Sequence, residues 1–362
     1  MRSTYKEEDV VLLLKDITGM LAPQSTEERE RRIQSGTHYS EMLPREYVPT
    51  PEYMEAYREA LRHYAAGTAQ AAAGAAELVY AEKGRDLVLV SLARAGIPAG
   101  ILMKHYLRRQ YGFEVPHYGI SIIRDRGIDK NAMRYLLERF RPEQLQFVDG
   151  WIGKGAILRE LERECRAFPG VSPELAVLAD PAGLTRLAGT REDLLIPSSC
   201  LNCTVSGLIS RTVLRDDLIG PDDFHGAVYY GEMEEQDLSY DFLHTVEAEF
   251  DGNGSQRETK ALDPENAGRL RNGFQEVEEI VSHFGISDIN FVKPGIGETT
   301  RVLLRRVPHQ ILIREAEKDS PPPAPAGRGK TGAGGVLSPG ALQGLRHYPK
   351  MQGYLKIIAA DR

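Results

Sequence analysis

The stretch LQFVDGWIGKGAI (residues 145–157) decides the fold. Its apolar first half leads to Asp149, and Gly153, Lys154 and Gly155 then precede the helical pattern AILRELEREC. A turn that joins a strand to a helix presents unpaired backbone N–H groups and the positive end of the helix dipole, which together attract phosphate. Lys154 adds a full positive charge. The sequence therefore predicts a strand, an anion-binding turn and a helix; Gly153, Lys154 and Gly155 are called the glycine turn below.

A nucleotide-triphosphate loop is the main alternative for this turn. Its GxxxxGK[ST] pattern requires a glycine five residues before the GK pair and a hydroxyl after the lysine, which holds magnesium. Val148 and Gly155 occupy those two positions. The sequence therefore excludes this kind of loop here.

Two earlier segments have a similar pattern. LVLVSLARAGIPAG (residues 87–100) is typical of a buried strand, a loop of small residues and a helix. In its loop, Arg94 offers phosphate oxygens a planar charged fork, and Gly96 permits close backbone approach. HYGISIIRDRGID (residues 117–129) is a predicted strand followed by Arg124 and Arg126. Each segment alone is compatible with plain α/β scaffold, but three in this order favour a phosphate site.

Strands and helices alternate along the first two thirds of the chain. Strands are predicted at residues 87–93, 117–123, 145–149, 174–179 and 193–197. This alternation predicts an α/β fold, a parallel sheet with helices on both faces. Ligands in such sheets bind outside the carboxyl ends of the strands, where Arg94, Arg124, Asp149 and Asp180 are expected.

These segments resemble the phosphoribosyltransferase pattern, in which a buried strand ends in an acidic residue before a loop around the 5′-phosphate of phosphoribosyl pyrophosphate. The resemblance implies that Asp149 binds ribose hydroxyls and that Arg124 lies on a mobile flap over the site. It also implies two phosphate-binding loops, with residues Arg94, Ala95, Gly96, Gly150, Gly153, Lys154 and Gly155. Gly150 stands where a second carboxylate is common in that family, and Lys154 stands where a Thr is common.

Five motifs along the chain narrow the resemblance. They are THYSEMLP (37–44), SIIRDRGID (121–129), FVDGWIGKGAI (147–157), LADPAG (178–183) and IPSSCLNCTVSGLISRT (196–212). Together they resemble the bacterial StiP family, which is associated with tellurite resistance and stress response. The resemblance implies a phosphoribosyltransferase-like domain followed by a Pelota-type RNA-binding domain. Many members carry the name cysteine protease, so two activities are implied.

The C-terminal part is predicted to be a separate small α/β domain. We place the first domain, with its N-terminal helical extension, at residues 1–255 and the second at 256–362, with a flexible insertion at about 317–335 that is poor in apolar residues. The segment FVKPGIGETTR (291–301) resembles the turn and helix with which Pelota and archaeal ribosomal proteins bind RNA. The matching positions are Lys293, Gly295, Glu298, Thr299, Thr300 and Arg301. Gly297 replaces the asparagine usual in the ribosomal proteins.

Charge is distributed unevenly between these two parts. Residues 291–362 contain 12 Lys and Arg against 5 Asp and Glu, whereas the whole chain has a net charge of −7. Such polarity indicates either an anionic partner such as RNA or simply a solvated basic surface. No apolar run approaches the roughly 20 residues of a membrane span, and the N-terminus lacks the apolar core of a signal peptide. We therefore expect a cytoplasmic bacterial protein with no membrane partner.

The cysteines give a second hypothesis. Cys200 is expected near the end of a predicted strand and shortly before a helix, where the helix dipole would lower the pKa of its thiol. A nucleophile also needs a base, and His38, His225 and His244 are available without any spacing rule. A buried structural thiol is the alternative. The CLNC pair is a weak signal for zinc, and no metal ligands are predicted.

The sequence thus favours a two-domain enzyme that uses phosphoribosyl pyrophosphate and a base-like acceptor, coupled to an RNA-binding domain. Its expected catalytic residues are Arg94, Arg124, Asp149 and Lys154. Magnesium would arrive on the phosphates of the substrate, and no tightly bound cofactor is expected. Two alternatives remain open: a cysteine protease or hydrolase acylated at Cys200, and a non-catalytic nucleotide or RNA sensor.

Overall fold

The computed structural model describes residues 1–251, 273–303, 310–314, 345–348 and 356–359. In the first range the strands are β1 Val11–Leu12, β2 Lys15–Asp16, β3 Pro23–Gln24, β4 Leu43–Pro44, β5 Val88–Ala93, β6 His117–Ile123, β7 Gly127–Ile128, β8 Leu145–Trp151, β9 Leu175–Ala179, β10 Ala188–Thr190 and β11 Gly226–Ala227. The helices there are α1 Thr26–Gln34, α2 Pro51–Lys83, α3 Gly96–Tyr111, α4 Lys130–Leu137, α5 Ala156–Cys165 and α6 Ser239–Glu247.

A seven-stranded, mostly parallel sheet forms the centre of the first domain. Its order is β1-β6-β5-β8-β9-β10, and β7 pairs antiparallel with β6 at one side. Helices α2 and α3 pack on one face, and α4 and α5 contribute to the apolar core on the other. The predicted α/β class is therefore confirmed. Since β5 and β8 carry almost only buried residues, the segments that follow them are held in place by the core.

Helix α2 is the longest element, with 33 residues. Thr50 caps its first turn and Pro51 begins it, as expected for a helix start. Its alanine-rich second half lies so close to the sheet edge that a Cβ atom added to Gly189 would be 1.8 Å from the carbonyl oxygen of Ala71. The small residues of α2 therefore allow it to pack closely on the sheet.

One of the predicted strands is absent. Residues 193–197 do not form a strand; β10 is the last strand of the sheet, and Pro197, which cannot donate to a strand ladder, begins a 3₁₀ turn, Pro197–Cys200. The apolar segment 226–233 forms only the two-residue β11, which pairs with β2. Helix α6 buries Phe242 and Leu243 in the core.

The described part of the second domain contains two helices and four strands. They are α7 Gly273–Phe284, β12 Val292–Pro294, α8 Ile296–Leu303, β13 Gln310–Arg314, β14 Leu345–Tyr348 and β15 Lys356–Ala359. The strands form one sheet in the order β12-β15-β13-β14. The predicted interdomain boundary at 255 and the predicted insertion at 317–335 lie outside the described residues. Across the described ranges, every helix is too short or too polar to cross a membrane.

Candidate functional site

The chain reverses its direction of strand addition between β5 and β8. From β5 it passes to β6 on one side and then to β8 on the other, so the loops that follow β5 and β8 leave the sheet side by side. Such a switch point forms a crevice at the carboxyl ends of the strands, where α/β sheets bind ligands. A Cβ atom added to Gly150 would lie 3.5 Å from the carbonyl oxygen of Ala95, which places the two predicted phosphate loops in direct proximity.

Gly96 serves the packing of this crevice. A Cβ atom there would lie 2.4 Å from the carbonyl oxygen of Val148, so the start of α3 approaches β8 more closely than any other residue permits. The peptide bond between Ala93 and Arg94 is cis.

The strand, glycine turn and helix predicted at residues 145–157 are present. Gly155 has a φ of 76° and directly precedes α5, a conformation that favours glycine. However, β8 continues through Trp151, so Asp149 lies within the strand and not at its end. There the Asp149 carboxylate accepts a hydrogen bond of 2.7 Å from the backbone N–H of Gly150. The prediction that the acid ends the strand is wrong by two residues, because β9 pairs with β8 as far as Trp151.

Arg94 is buried beside the crevice and held by protein groups. Its guanidinium donates to the carbonyl oxygen of Ile209 at 2.7 Å and to Asn202 Oδ1 at 3.3 Å. It also forms an ion pair with the buried carboxylate of Glu46 at 3.4 Å. A cavity of about 30 Å³ between Arg94 and Trp151, lined also by Ser198 and Asn202, has room for about one water molecule. The side of the crevice next to Arg94 is therefore nearly closed.

Two of the predicted phosphate ligands, Arg124 and Lys154, are brought together. The Oδ1 atom of Asn290, from the second domain, accepts from Lys154 Nζ at 3.1 Å and from Arg124 at 3.5 Å. Lys154 also donates to the carbonyl oxygen of Ile289 at 2.9 Å. Burial, followed by the charges of Lys293 and Arg124, lowers the pKa of Lys154 to about 8. Burial thus destabilises the charged form of Lys154, and an anion bound next to it would stabilise that form.

The second domain lies directly over the glycine turn. A Cβ atom added to Gly153 would lie 3.4 Å from Cγ of Glu298, and one added to Gly297 would lie 3.3 Å from the ring of Trp151. The buried carboxylate of Asp193, in the first domain, accepts from the backbone N–H of Ile296 at 2.9 and 3.1 Å. Asp193 therefore caps α8 from the other domain.

The predicted RNA-binding residues lie on this contact. Gly295 and Thr299 are buried, and Lys293 and Glu298 are half-buried. The side chains of Thr300 and Arg301 lie outside the described residues. In this arrangement the turn at residues 293–298 faces the first domain.

Asp180, the fourth acid or base expected at the sheet edge, organises its own loop. It is fully buried and accepts from the backbone N–H groups of Leu184 and Thr185 at 2.6 and 2.9 Å and from Arg191 at 2.5 Å. Burial raises the pKa of this carboxyl, and the hydrogen bonds oppose that rise. The carboxylate thus fixes the segment between β9 and β10.

Cys200 has the properties of a core residue. It belongs to the 3₁₀ turn Pro197–Cys200, its side chain is buried, and burial raises the pKa of its thiol to about 12. The expectation that a helix dipole lowers this pKa is wrong, because no α-helix begins there. Of the three histidines considered as its base, His38 bonds Ser40 Oγ, His225 bonds Ser121 Oγ and His244 packs against Tyr240.

The other cysteines are also buried, and burial raises the pKa of Cys203 to about 12. Within the described ranges, no group of three or more His, Cys, Asp or Glu side chains is placed to hold a metal ion. A cavity of about 620 Å³ is lined by charges of both signs, including Arg126, Glu41 and Arg215.

Local sequence patterns do not reveal the roles of Asp193, Glu46 and Asn290. Asp193 is predicted to lie in a strand, and no local pattern links Glu46 to Arg94 or Asn290 to Lys154. These contacts join positions that are distant along the chain, so only the folded arrangement reveals them.

Comparison with known proteins agrees with this architecture. A family model described as "Tellurite-like stress resistance cysteine protease StiP" matches residues 3–247. The chain belongs to the StiP family. A second family model, "PELOTA RNA binding domain", matches residues 271–322. The protein named "Cysteine protease StiP" from Acinetobacter baylyi (strain ATCC 33305 / BD413 / ADP1) is 36% identical over 328 residues, which cover 87% of this chain and 85% of that protein. The resemblance to the StiP family and the Pelota-type C-terminal domain are confirmed.

Proposed function

We propose that the first domain binds phosphoribosyl pyrophosphate and transfers its phosphoribosyl group to a base-like acceptor. The observation that carries this proposal is the switch point between β5 and β8, where the Arg94–Ala95–Gly96 loop and the glycine turn lie side by side. Both loops follow buried strands, which supports a preformed site.

Each part of the substrate has a group to meet it in this arrangement. The backbone of the glycine turn and Lys154 would take the 5′-phosphate, and Asp149 would take ribose hydroxyls. Arg124 would bind the pyrophosphate. Arg94 would bind it as well, after exchanging its ion pair with Glu46 for the substrate. Magnesium would be carried by the phosphates of the substrate.

The reaction follows from these positions. The bond from C1′ to the pyrophosphate oxygen breaks, that oxygen keeps the electron pair, and a nitrogen of the acceptor forms the new bond to C1′ and loses its proton to solvent. The protein contributes by positioning the reactants and by stabilising the charge that develops on the leaving pyrophosphate.

The second domain binds the partner molecule in this proposal. Its match to an RNA-binding family model and the basic charge of residues 291–362 support RNA as that partner. We place the RNA at Lys293, next to Arg124 and Lys154, because the charges of Lys293 and Arg124, after burial, contribute to the lowered pKa of Lys154 and the three cations therefore lie close together.

Calorimetric titration with magnesium phosphoribosyl pyrophosphate tests the proposal. Asp149→Asn keeps the shape of the side chain and removes its charge, so the affinity should fall by about 1 to 3 kcal/mol, the range for a lost charged hydrogen bond. Equal affinity of the folded variant and the wild type would refute the role of Asp149. Release of pyrophosphate in the presence of nucleobases would then identify the acceptor.

A cysteine protease is the second candidate, and the name of the family favours it. Cys200 is the residue for this role, because its neighbours Ser199 and Leu201 line the small cavity beside Arg94. The thiol would need to become exposed and gain a base before it could attack a peptide carbonyl. Labelling of Cys200 by an acylating probe, competed by a peptide substrate, would favour this candidate over the transferase.

A further inference from the structure

The side chain of Glu298 lies against the glycine turn and is negatively charged, like the ligands that such a turn attracts. The turn offers backbone N–H groups, the start of α5 and Lys154, all of which attract anions. The side chain that lies in front of Gly153 is a carboxylate, and its Cγ would be 3.4 Å from a Cβ added there. Its charge acts favourably on the ammonium of Lys154. An acidic side chain of the protein itself therefore covers the glycine turn.

The position of Glu298 is fixed by its neighbours. Asp193 holds the N–H of Ile296, and Ile296 is itself buried in the core of the first domain. Gly297 packs on the ring of Trp151. These contacts anchor the first turn of α8, to which Glu298 also belongs. Any ligand that enters the glycine turn must therefore displace this side chain.

Displacement of the side chain does not require separation of the domains. Glu298 is half-buried, whereas the anchors on either side of it, Ile296 and Thr299, are buried. The carboxylate of a glutamate can swing about three side-chain bonds, and rotamer changes of this kind are fast compared with domain motions. The second domain can stay docked while the turn opens.

We propose that the acidic side chain of Glu298 covers the glycine turn and gates its binding of phosphate groups. This inference rests on the proposed function, because it assumes that the turn is a phosphate site, and it adds the regulation of that site. A ligand that enters the turn must move the Glu298 side chain from in front of Gly153, and the negative charge of Glu298 opposes the binding of a phosphate there. Both effects lower the apparent affinity of the turn for its ligand.

The test compares wild type, Glu298→Gln and Glu298→Ala in the full chain. Each is titrated in a calorimeter with inorganic phosphate and, separately, with magnesium phosphoribosyl pyrophosphate. Removal of the competing charge should raise the affinity of both variants by about 5-fold or more, the lower end of usual coupling between sites. Glu278→Ala removes an exposed carboxylate from α7 of the same domain and should change nothing.

Trp151 reports whether the domains stay docked, because it is the chain's single tryptophan and contacts Gly297. Its emission maximum should stay constant when ligand saturates the protein. A shift to longer wavelength on saturation would overturn the claim that the side chain moves alone.

Unchanged or weaker affinity in both Glu298 variants would overturn the gate. Tighter phosphate binding without any binding of phosphoribosyl pyrophosphate would support the gate and refute the proposed function. Absence of binding by every variant would refute both.

Discussion

Asp193 gives the sharpest test of the contact between the domains. Its buried carboxylate accepts from the N–H of Ile296 with both oxygens and stands at the start of α8. Asp193→Ala leaves that buried N–H without an acceptor, which costs about 1 to 3 kcal/mol. This range includes the loss of the helix cap, about 1 kcal/mol by itself. Asp193→Asn keeps an acceptor oxygen and loses only the charge near the helix dipole, about 0.3 to 1 kcal/mol.

The assay is unfolding in urea, followed by Trp151 fluorescence and by far-ultraviolet circular dichroism. Trp151 lies at the contact, so its transition should move to lower urea in Asp193→Ala, with a smaller shift in Asp193→Asn. Glu192→Ala is the matched control, because Glu192 is the preceding residue and its side chain is exposed. If Asp193→Ala unfolds like the wild type and keeps the same Trp151 emission, then the cap contributes nothing to docking and the reasoning fails.

Three further predictions concern other parts of the molecule. Although burial opposes it, hydrogen bonds to Asp9 and Glu247 raise the pKa of His105 to about 9; the stability that His105 contributes is complete below about pH 6.5 and is lost as the pH rises through 9. His105→Gln should therefore flatten the fall in melting temperature over this interval, and an unchanged slope would contradict the assignment. Cys200→Ser should keep any phosphoribosyltransferase turnover, because the buried thiol only packs; a loss of several orders of magnitude would show that it reacts. Lys293→Ala should reduce the slope of log RNA affinity against log salt by about 1, whereas the exposed Arg58→Ala should leave it unchanged; equal slopes would remove Lys293 from the RNA surface.

Local patterns predicted the elements of the site well. The apolar runs at residues 88–93, 117–123 and 145–151 form buried strands. A continuous apolar run is a local signal for such a strand, so the sequence alone predicts it. The glycine turn is also predictable from local sequence, because the positive φ of Gly155 favours glycine at that position. Alternation of strands and helices then fixed the fold class.

Long-range contacts were beyond the reach of such patterns. The sequence predicts that Asp193 lies in a strand, but its carboxylate caps a helix of the other domain. It predicts Arg94 as a ligand of pyrophosphate, and the pairing of Arg94 with Glu46 depends on two segments that only the fold brings together. For both residues the partner lies far along the chain. Cys200 is predicted to lie shortly before a helix, whereas the chain there makes two short 3₁₀ turns.

The structure of the full chain bound to magnesium phosphoribosyl pyrophosphate tests the central claim most directly. The account predicts the 5′-phosphate on the glycine turn within hydrogen-bond distance of Lys154 Nζ, ribose hydroxyls at Asp149, and the Glu298 side chain turned away from Gly153. Phosphoribosyl pyrophosphate bound outside the crevice between β5 and β8, or no binding at saturating concentration, would contradict it.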